Sequence, residues 1–219
     1  MGGTYTGWSS YLLVFIYLAF FSILCIKLAF QGWQSVESAR NCPLINFGNR
    51  QVRLLNTEAL FAGQIGFWQP ELVVSQGLLQ TLSPEHLESV LAHEQGHYHY
   101  RDTFWFFWLG WMRSCTAWLP NTDSLWEELL ILRELRADGY AASQVDPLLL
   151  AESLLLVVSS TPVVSDICCA ALGSPGADRL EQRIDALLAP PEPNPVPQLH
   201  SWHSFLLAFL PLVAVIFHT

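Results

Sequence analysis

From Trp8 to Phe30 the chain reads WSSYLLVFIYLAFFSILCIKLAF, and its only charge is Lys27, near the end. About 20 consecutive apolar residues cross a bilayer core as a helix. A lysine at the edge can reach the headgroups along its own aliphatic stem. A cleaved signal peptide needs a basic start, and no Lys or Arg precedes Lys27. Residues 8–30 are therefore expected to form a transmembrane helix. Lys27, Arg40, Arg50 and Arg53 all follow it, which places the downstream segment in the cytoplasm. Leu199 to Thr219 reads LHSWHSFLLAFLPLVAVIFHT and lacks Asp, Glu, Lys and Arg. It is the second expected span, with Pro211 tolerated as membrane helices tolerate proline. Together the two spans make a multi-pass membrane protein of the plasma membrane.

The composition is consistent with that division. Hydrophobic residues make up 52% of the chain and charged residues 13%, which excludes a disordered polymer. The net charge of −9 repels polyanions, so no nucleic-acid partner is expected. The five cysteines include no CxxC pair and no metal-binding spacing, and read as unpaired thiols in a reducing compartment.

Between the spans, residues 31–50 read as a linker. Residues 51–62 and 71–75 carry the strand signals, with Gly63 and Gly66 between them, so a small β-hairpin or sheet is expected. Ser83-Pro84-Glu85 opens a helix with an N-cap serine, a proline at its first position and an early acid. Further helices are expected from Thr122 or Asp123, after Asp146-Pro147, and over 179–189. The stretch PPEPNPVP, residues 190–197, is a stiff linker.

The helix opened by Ser83 carries His93-Glu94-Gln95-Gly96-His97. Histidines four apart on a helix point the same way, about 40° apart around the axis, so their ring nitrogens can converge on one cation. Glu94 follows the first histidine and reaches a metal-associated water without binding the metal. This HExxH spacing is that of a zinc hydrolase. Such a site needs a third protein ligand. His99 points away from the His93/His97 face, and His86 lies too far along the axis. In the next helix, LWEELLILRELRADGYAA, Glu134 and Asp138 are four apart and share a face. Glu134 is the candidate zinc ligand, and Asp138 the candidate partner for a ligand histidine's other nitrogen. The alternative is that both pair with Arg133 or Arg136 on a helix surface. Glu127, two turns earlier, is the reserve ligand.

LVVSQGLLQTLSPEHLESVLAHEQGHYHYRD followed by ELRAD resembles the gluzincin membrane metallopeptidases. Two relatives fit: the HtpX/CAAX-prenyl-protease family and the peptidase domain of beta-lactam-sensor signal transducers. The resemblance covers roughly residues 50–188. It implies zinc (Zn2+) held by His93, His97 and Glu134, Glu94 as general base, and Asp138 behind the ligands. The prenyl-protease branch carries a histidine just before its "RI" segment. Here residues 166–199 contain none, which leaves the oxyanion donor unassigned and favours the transducer branch. Arg179 and Arg183 are the nearby cations, each readable as an oxyanion donor or as a structural ion pair.

The zinc site constrains the aromatic stretch TFWFFWLGWMRSCTAWL, residues 103–119. If it crossed the membrane alone, Glu134 would lie on the opposite side from the histidines, and too few residues follow Pro120 for a return span. A helical hairpin is expected instead: the active-site helix continues to about Leu119, turns at Pro120-Asn121 and returns with Glu134, its aromatic tip suited to the membrane interface. An intramembrane site-2-type protease is excluded, because Glu85, His86, Glu88, His99, Arg101 and Asp102 around the motif are costly in hydrocarbon.

The expected fold is thus a mainly α (α+β) membrane protein. Its parts are a transmembrane helix over 8–30, a zinc metallopeptidase domain over 31–198 with an aromatic hairpin arm near 103–120, and a second transmembrane helix over 199–219. The expected activity is a zinc-dependent endopeptidase acting on protein or peptide substrates, in contact with membrane lipid. Two settings fit: regulatory proteolysis of a repressor, or membrane-protein quality control. The substrate is expected to lie as a strand against Leu72 to Ser75. The rival is a non-catalytic signalling or scaffold protein with a structural zinc site, against which the intact Glu94 argues.

Overall fold

The computed structural model describes residues 5–48, 50–159 and 179–189; the expected span over 199–219 and its proline-rich linker lie outside them. α1 (Tyr5–Arg40) is one continuous helix of 36 residues. It contains the apolar run and then carries on through a polar end. Among the described residues it is the one helix long and apolar enough to cross a membrane. The expected linker over 31–50 is therefore mostly structured: α1 occupies it to Arg40, and a strand follows.

β1 (Leu44–Phe47) and β2 (Arg50–Leu55) form an antiparallel hairpin, with Leu44 opposite Arg53 and Phe47 opposite Arg50. Gly48 takes a positive φ of 56° at the turn, a conformation glycine adopts without steric cost. β3 (Ala62–Ile65) pairs antiparallel with β4 (Glu71–Ser75), and β4 pairs parallel with β2. The sheet order is β1-β2-β4-β3. The expected small sheet is present with four strands, but the proposed substrate edge is corrected: Leu72 to Ser75 are interior to the sheet, and its edges are β1 and β3.

Alternation along the strands gives the sheet two apolar faces. Val73, Leu55 and Ile65 pack with Ala39 and Val36 of α1. Val74 and Val52 pack with Leu78, Leu87, Val90 and Leu91. The second face lies on α2 (Gln76–Thr81) and α3 (Pro84–His99). Ser75 caps α2 by accepting from Leu78 N at 3.1 Å, and Ser83 caps α3 by accepting from His86 N at 3.3 Å. Such caps contribute about 1 kcal/mol each.

The active-site helix does not run on to Leu119. α3 ends at His99, Arg101 adopts a left-handed φ of 54°, and α4 (Asp102–Thr116) starts in a new direction. α4 turns at Asn121, also left-handed, into α5 (Thr122–Ala142). The hairpin is closed by Phe106 and Leu109 against Trp126, Leu129 and Leu130. α6 (Pro147–Ser159) covers α3, where Ser89 and Ser153 share a buried hydrogen bond of 2.6 Å. α7 (Leu180–Leu188) packs on α5 and α6.

Candidate metal centre

α3 and α5 meet at Gly96. A Cβ there would stand 3.0 Å from Ala137 Cα and 3.1 Å from its carbonyl oxygen. The missing side chain lets α5 approach closely, and Ala137 is flanked on α5 by Glu134 and Asp138. The helix-period spacing of those two acids then turns both carboxylates toward α3. His93, Glu94, Glu134 and Asp138 are all buried.

The two histidines face each other through Nε2, 3.1 Å apart. Glu134 Oε2 lies 3.4 Å from His93 Nε2, and its Oε1 lies 3.8 Å from His97 Nε2. Tetrahedral zinc with N and O ligands at 2.0–2.2 Å sets its donors about 3.3 Å apart, so these three donors fit that spacing. Glu94 completes a cluster with the histidines in which the donor atoms lie within 4.8 Å of one another.

The outer ring nitrogens fix the tautomers. His97 Nδ1 lies 2.7 Å from Asp102 Oδ2, and His93 Nδ1 lies 2.8 Å from Asp138 Oδ1. A carboxylate only accepts, so the proton belongs on Nδ1 and the Nε2 lone pairs are left facing each other. Two such lone pairs at 3.1 Å repel unless a cation lies between them. The His93–Asp138 contact is short but off the N–H direction, so Nδ1 lacks a well-directed hydrogen bond.

Arginines surround the acids. Arg183 Nε and Nη2 donate to both oxygens of Asp138 at 2.7 and 2.8 Å, and its Nη1 lies 3.4 Å from Glu134 Oε2. Arg133 donates to Glu134 Oε1 at 2.9 and 2.7 Å. Arg136 pairs with Asp102 and stacks over Tyr100. Burial pushes the Glu134 carboxyl upward, but Arg133 and the histidines outweigh it and hold it well below the usual range. For Asp138, burial is likewise overcome, by Arg183 and His93, and its value is lowered. Burial works to lower His93, yet Asp138 and Glu134 raise it to about 9. The pocket therefore attracts a positive charge, whether proton or metal.

The structure thus brings together His93, Glu94, His97, Glu134 and Asp138. Glu134 does touch Arg133, yet it does so inside the cluster rather than on a helix surface. Glu127 is exposed and stands apart. His99 stacks on Tyr140 at 4.9 Å, and His86 pairs with Ser83 and Glu152. Arg179 holds Glu128 on the surface. Arg183 is committed to Asp138 and Glu134, which makes the ion-pair reading the better one.

Two participants escaped the sequence reading. Asp102 lies five residues after His97, off the helical repeat, and reaches it across the break where α3 ends and Arg101 takes a left-handed φ of 54°. Gln64 of β3 donates to the Glu94 carbonyl oxygen at 3.3 Å, tying the edge strand to the active-site helix.

Residues 40–146 match the family model described as Peptidase family M48. That segment contains the sheet, the HExxH helix and the Glu134/Asp138 helix. Of the two resemblances noted in the sequence, the match falls on the HtpX type. No curated protein matches the chain.

Proposed function

Residues 40–146 form a Peptidase family M48 domain and make this chain a metallopeptidase; from that premise we propose a membrane-anchored, zinc-dependent endopeptidase. The observation that carries this reading is the pair of Nε2 atoms 3.1 Å apart beside the Glu134 carboxylate. His93, His97 and Glu134 would hold the metal, and Asp138 and Asp102 would orient the two rings. Zinc, when bound, supplies a Lewis acid that polarises the scissile carbonyl and acidifies a water.

The chain's own groups do the rest. Glu94 takes the proton of the attacking water and delivers it to the departing amine nitrogen. The outer edge of β3 offers backbone groups to an extended substrate, and the Gln64 bond keeps that edge beside Glu94. Main-chain pairing of this kind recognises a stretch of polypeptide more than a terminus, which favours internal cleavage. α1 serves as the anchor, with the catalytic domain on the cytoplasmic side.

The test uses the full chain purified with zinc and presented with unstructured polypeptide. The wild type should cleave internally. Glu94→Gln should keep its zinc and lose activity by about 10²–10⁴-fold. Unchanged cleavage in that variant would remove Glu94 as the base, and a zinc-free active wild type would remove the whole reading.

A further inference from the structure

A cavity lies behind the active-site helix. Gln95 and His99 stand two residues beyond His93 and His97. That puts them about 200° around α3, on the side away from the metal centre. There they line a cavity of about 360 Å³, within the size range of small-molecule sites. Phe67 and Trp68, from the loop between β3 and β4, wall it together with Phe104 of α4 and Tyr140 of α5. The rings brace one another: Phe104 meets Phe67 at 5.0 Å and Trp68 at 5.2 Å, and His99 stacks on Tyr140 at 4.9 Å. Trp68 is nevertheless 71% exposed, so this wall keeps apolar area to cover.

Arg101 brings a permanent positive charge to the cavity. It is exposed, and among the described residues its guanidinium has no hydrogen-bond or ion-pair partner. Its backbone is left-handed, with a φ of 54°. That conformation favours glycine and, among other residues, asparagine. The second left-handed non-glycine position among the described residues is indeed an asparagine, Asn121. Arginine at such a position carries a backbone cost with no side-chain contact in return, and strain of this kind collects at ligand sites. A guanidinium offers paired N–H donors that match a carboxylate, and the ring-lined wall suits a flat apolar group.

We propose that this cavity is a second binding site, for a carboxylate standing beside an aromatic ring: a free aromatic acid or the C-terminal residue of a polypeptide. The carboxylate pairs with Arg101, and the ring lies against Trp68 and Phe104. Occupancy reaches the metal centre by two routes. Arg101 adjoins Asp102, which lies 2.7 Å from His97 Nδ1. From the other wall, Tyr140 meets Tyr100 edge to face at 6.0 Å, the Arg136 guanidinium lies 4.3 Å over the Tyr100 ring, and Arg136 pairs with Asp102. A ligand that holds Arg101 thereby fixes the break between α3 and α4, and with it the ring of His97. Ligand and metal then strengthen each other's binding by the same factor. The binding site stands by itself; the coupling rests on the metal centre assigned above.

The test uses the full chain, purified in a detergent with an uncharged headgroup and freed of metal, so that no carboxylate binds through zinc. N-acetyl-tryptophan and a pentapeptide ending in tryptophan are titrated in by calorimetry, each beside its C-terminal amide. An acid should bind one to one, and its amide about tenfold more weakly. Binding of the pentapeptide alone assigns the site to polypeptide C-termini; binding of both acids assigns it to the shared chemistry. Arg101→Asn removes the cation and keeps a residue that tolerates the left-handed backbone, and Trp68→Ala trims an exposed ring. Both variants should lose binding. If neither acid binds at millimolar concentration, if acid and amide bind alike, or if either variant binds like the wild type, the site is overturned. Chelator competition, run with and without the acid that binds, then reads the coupling. The acid should tighten zinc about fivefold or more in the wild type and leave Arg101→Asn unaffected. Unchanged zinc affinity in the wild type would overturn the coupling. A chain that binds no zinc at all would overturn the metal centre and the coupling with it, while the calorimetry still decides the site.

Discussion

Asp102 Oδ2 lies 2.7 Å from His97 Nδ1, so the first residue of α4 orients a ring whose other nitrogen faces His93. Partners of this kind raise ligand basicity and fix ring orientation, and losing one typically costs 10–100-fold in metal affinity. Asp102→Asn should weaken zinc by about that factor while leaving the fold intact, as measured by chelator competition alongside circular dichroism. Wild-type affinity in the variant would show that His97 is held without Asp102.

Zinc binding should strengthen as pH rises. In the metal-free protein His93 is raised from 6.5 to about 9: burial opposes the shift, and Asp138 and Glu134 impose it. Because the folded value is the higher one, protonated His93 stabilises the metal-free fold fully below pH 6.5. That contribution is lost as pH climbs through about 9. Zinc must displace this proton, so its apparent affinity should rise by about one log unit per pH unit through that window and level off above it. A zinc titration at several pH values that came out flat would contradict the assignment.

Gly96 and Gly139 should respond in opposite directions. A Cβ at Gly96 meets the Ala137 backbone at 3.0 Å, whereas one at Gly139 meets nothing within 4 Å. Gly96→Ala should separate α3 from α5 and cost about 1–3 kcal/mol, with a parallel loss of zinc affinity as Glu134 shifts. Gly139→Ala should be neutral or add about 0.5–1 kcal/mol, by improving helix propensity. Chemical denaturation of both variants checks the pair; equal effects would mean that close approach of the helices is not what Gly96 provides.

Removing Arg183 should uncover a buried charge. Arg183→Ala leaves Asp138 without its bidentate partner, and breaking a buried pair in this way costs about 3–5 kcal/mol. The pH dependence follows from the lowered Asp138 value. A depressed carboxyl stabilises the fold above its unfolded value of 3.8 and loses that contribution as pH falls through the folded value. Acid unfolding of Arg183→Ala should therefore begin at higher pH than in the wild type. Coincident acid transitions would indicate that the pair does not contribute to stability.

Much of the centre was legible because its signals are local. Ser83, Pro84 and the four-residue spacing of His93 and His97 are helix-end and helix-period chemistry, read without knowing what the helix packs on. Glu134 and Asp138 could be matched to the histidines by the same period on a second helix. The sheet was harder. Its strands are short, and no residue in Glu71–Ser75 marks it as interior; that follows from β2 joining it in parallel across an intervening strand.

The sequence by itself determined that one apolar helix precedes a polar domain, and that a capped helix presents two imidazoles and a carboxylate on adjoining faces. Those properties depend on residues within a few turns of one another. Only the tertiary structure decided that Asp102, rather than another acid, holds His97, that β3 rather than β4 lies at an edge of the sheet, and that Trp111 ties α4 to the apolar helix. Each of these depends on where the helices break, at the left-handed Arg101 and Asn121, or on which strand pairs with which. Such choices are made by packing between distant segments, and no local periodicity records them.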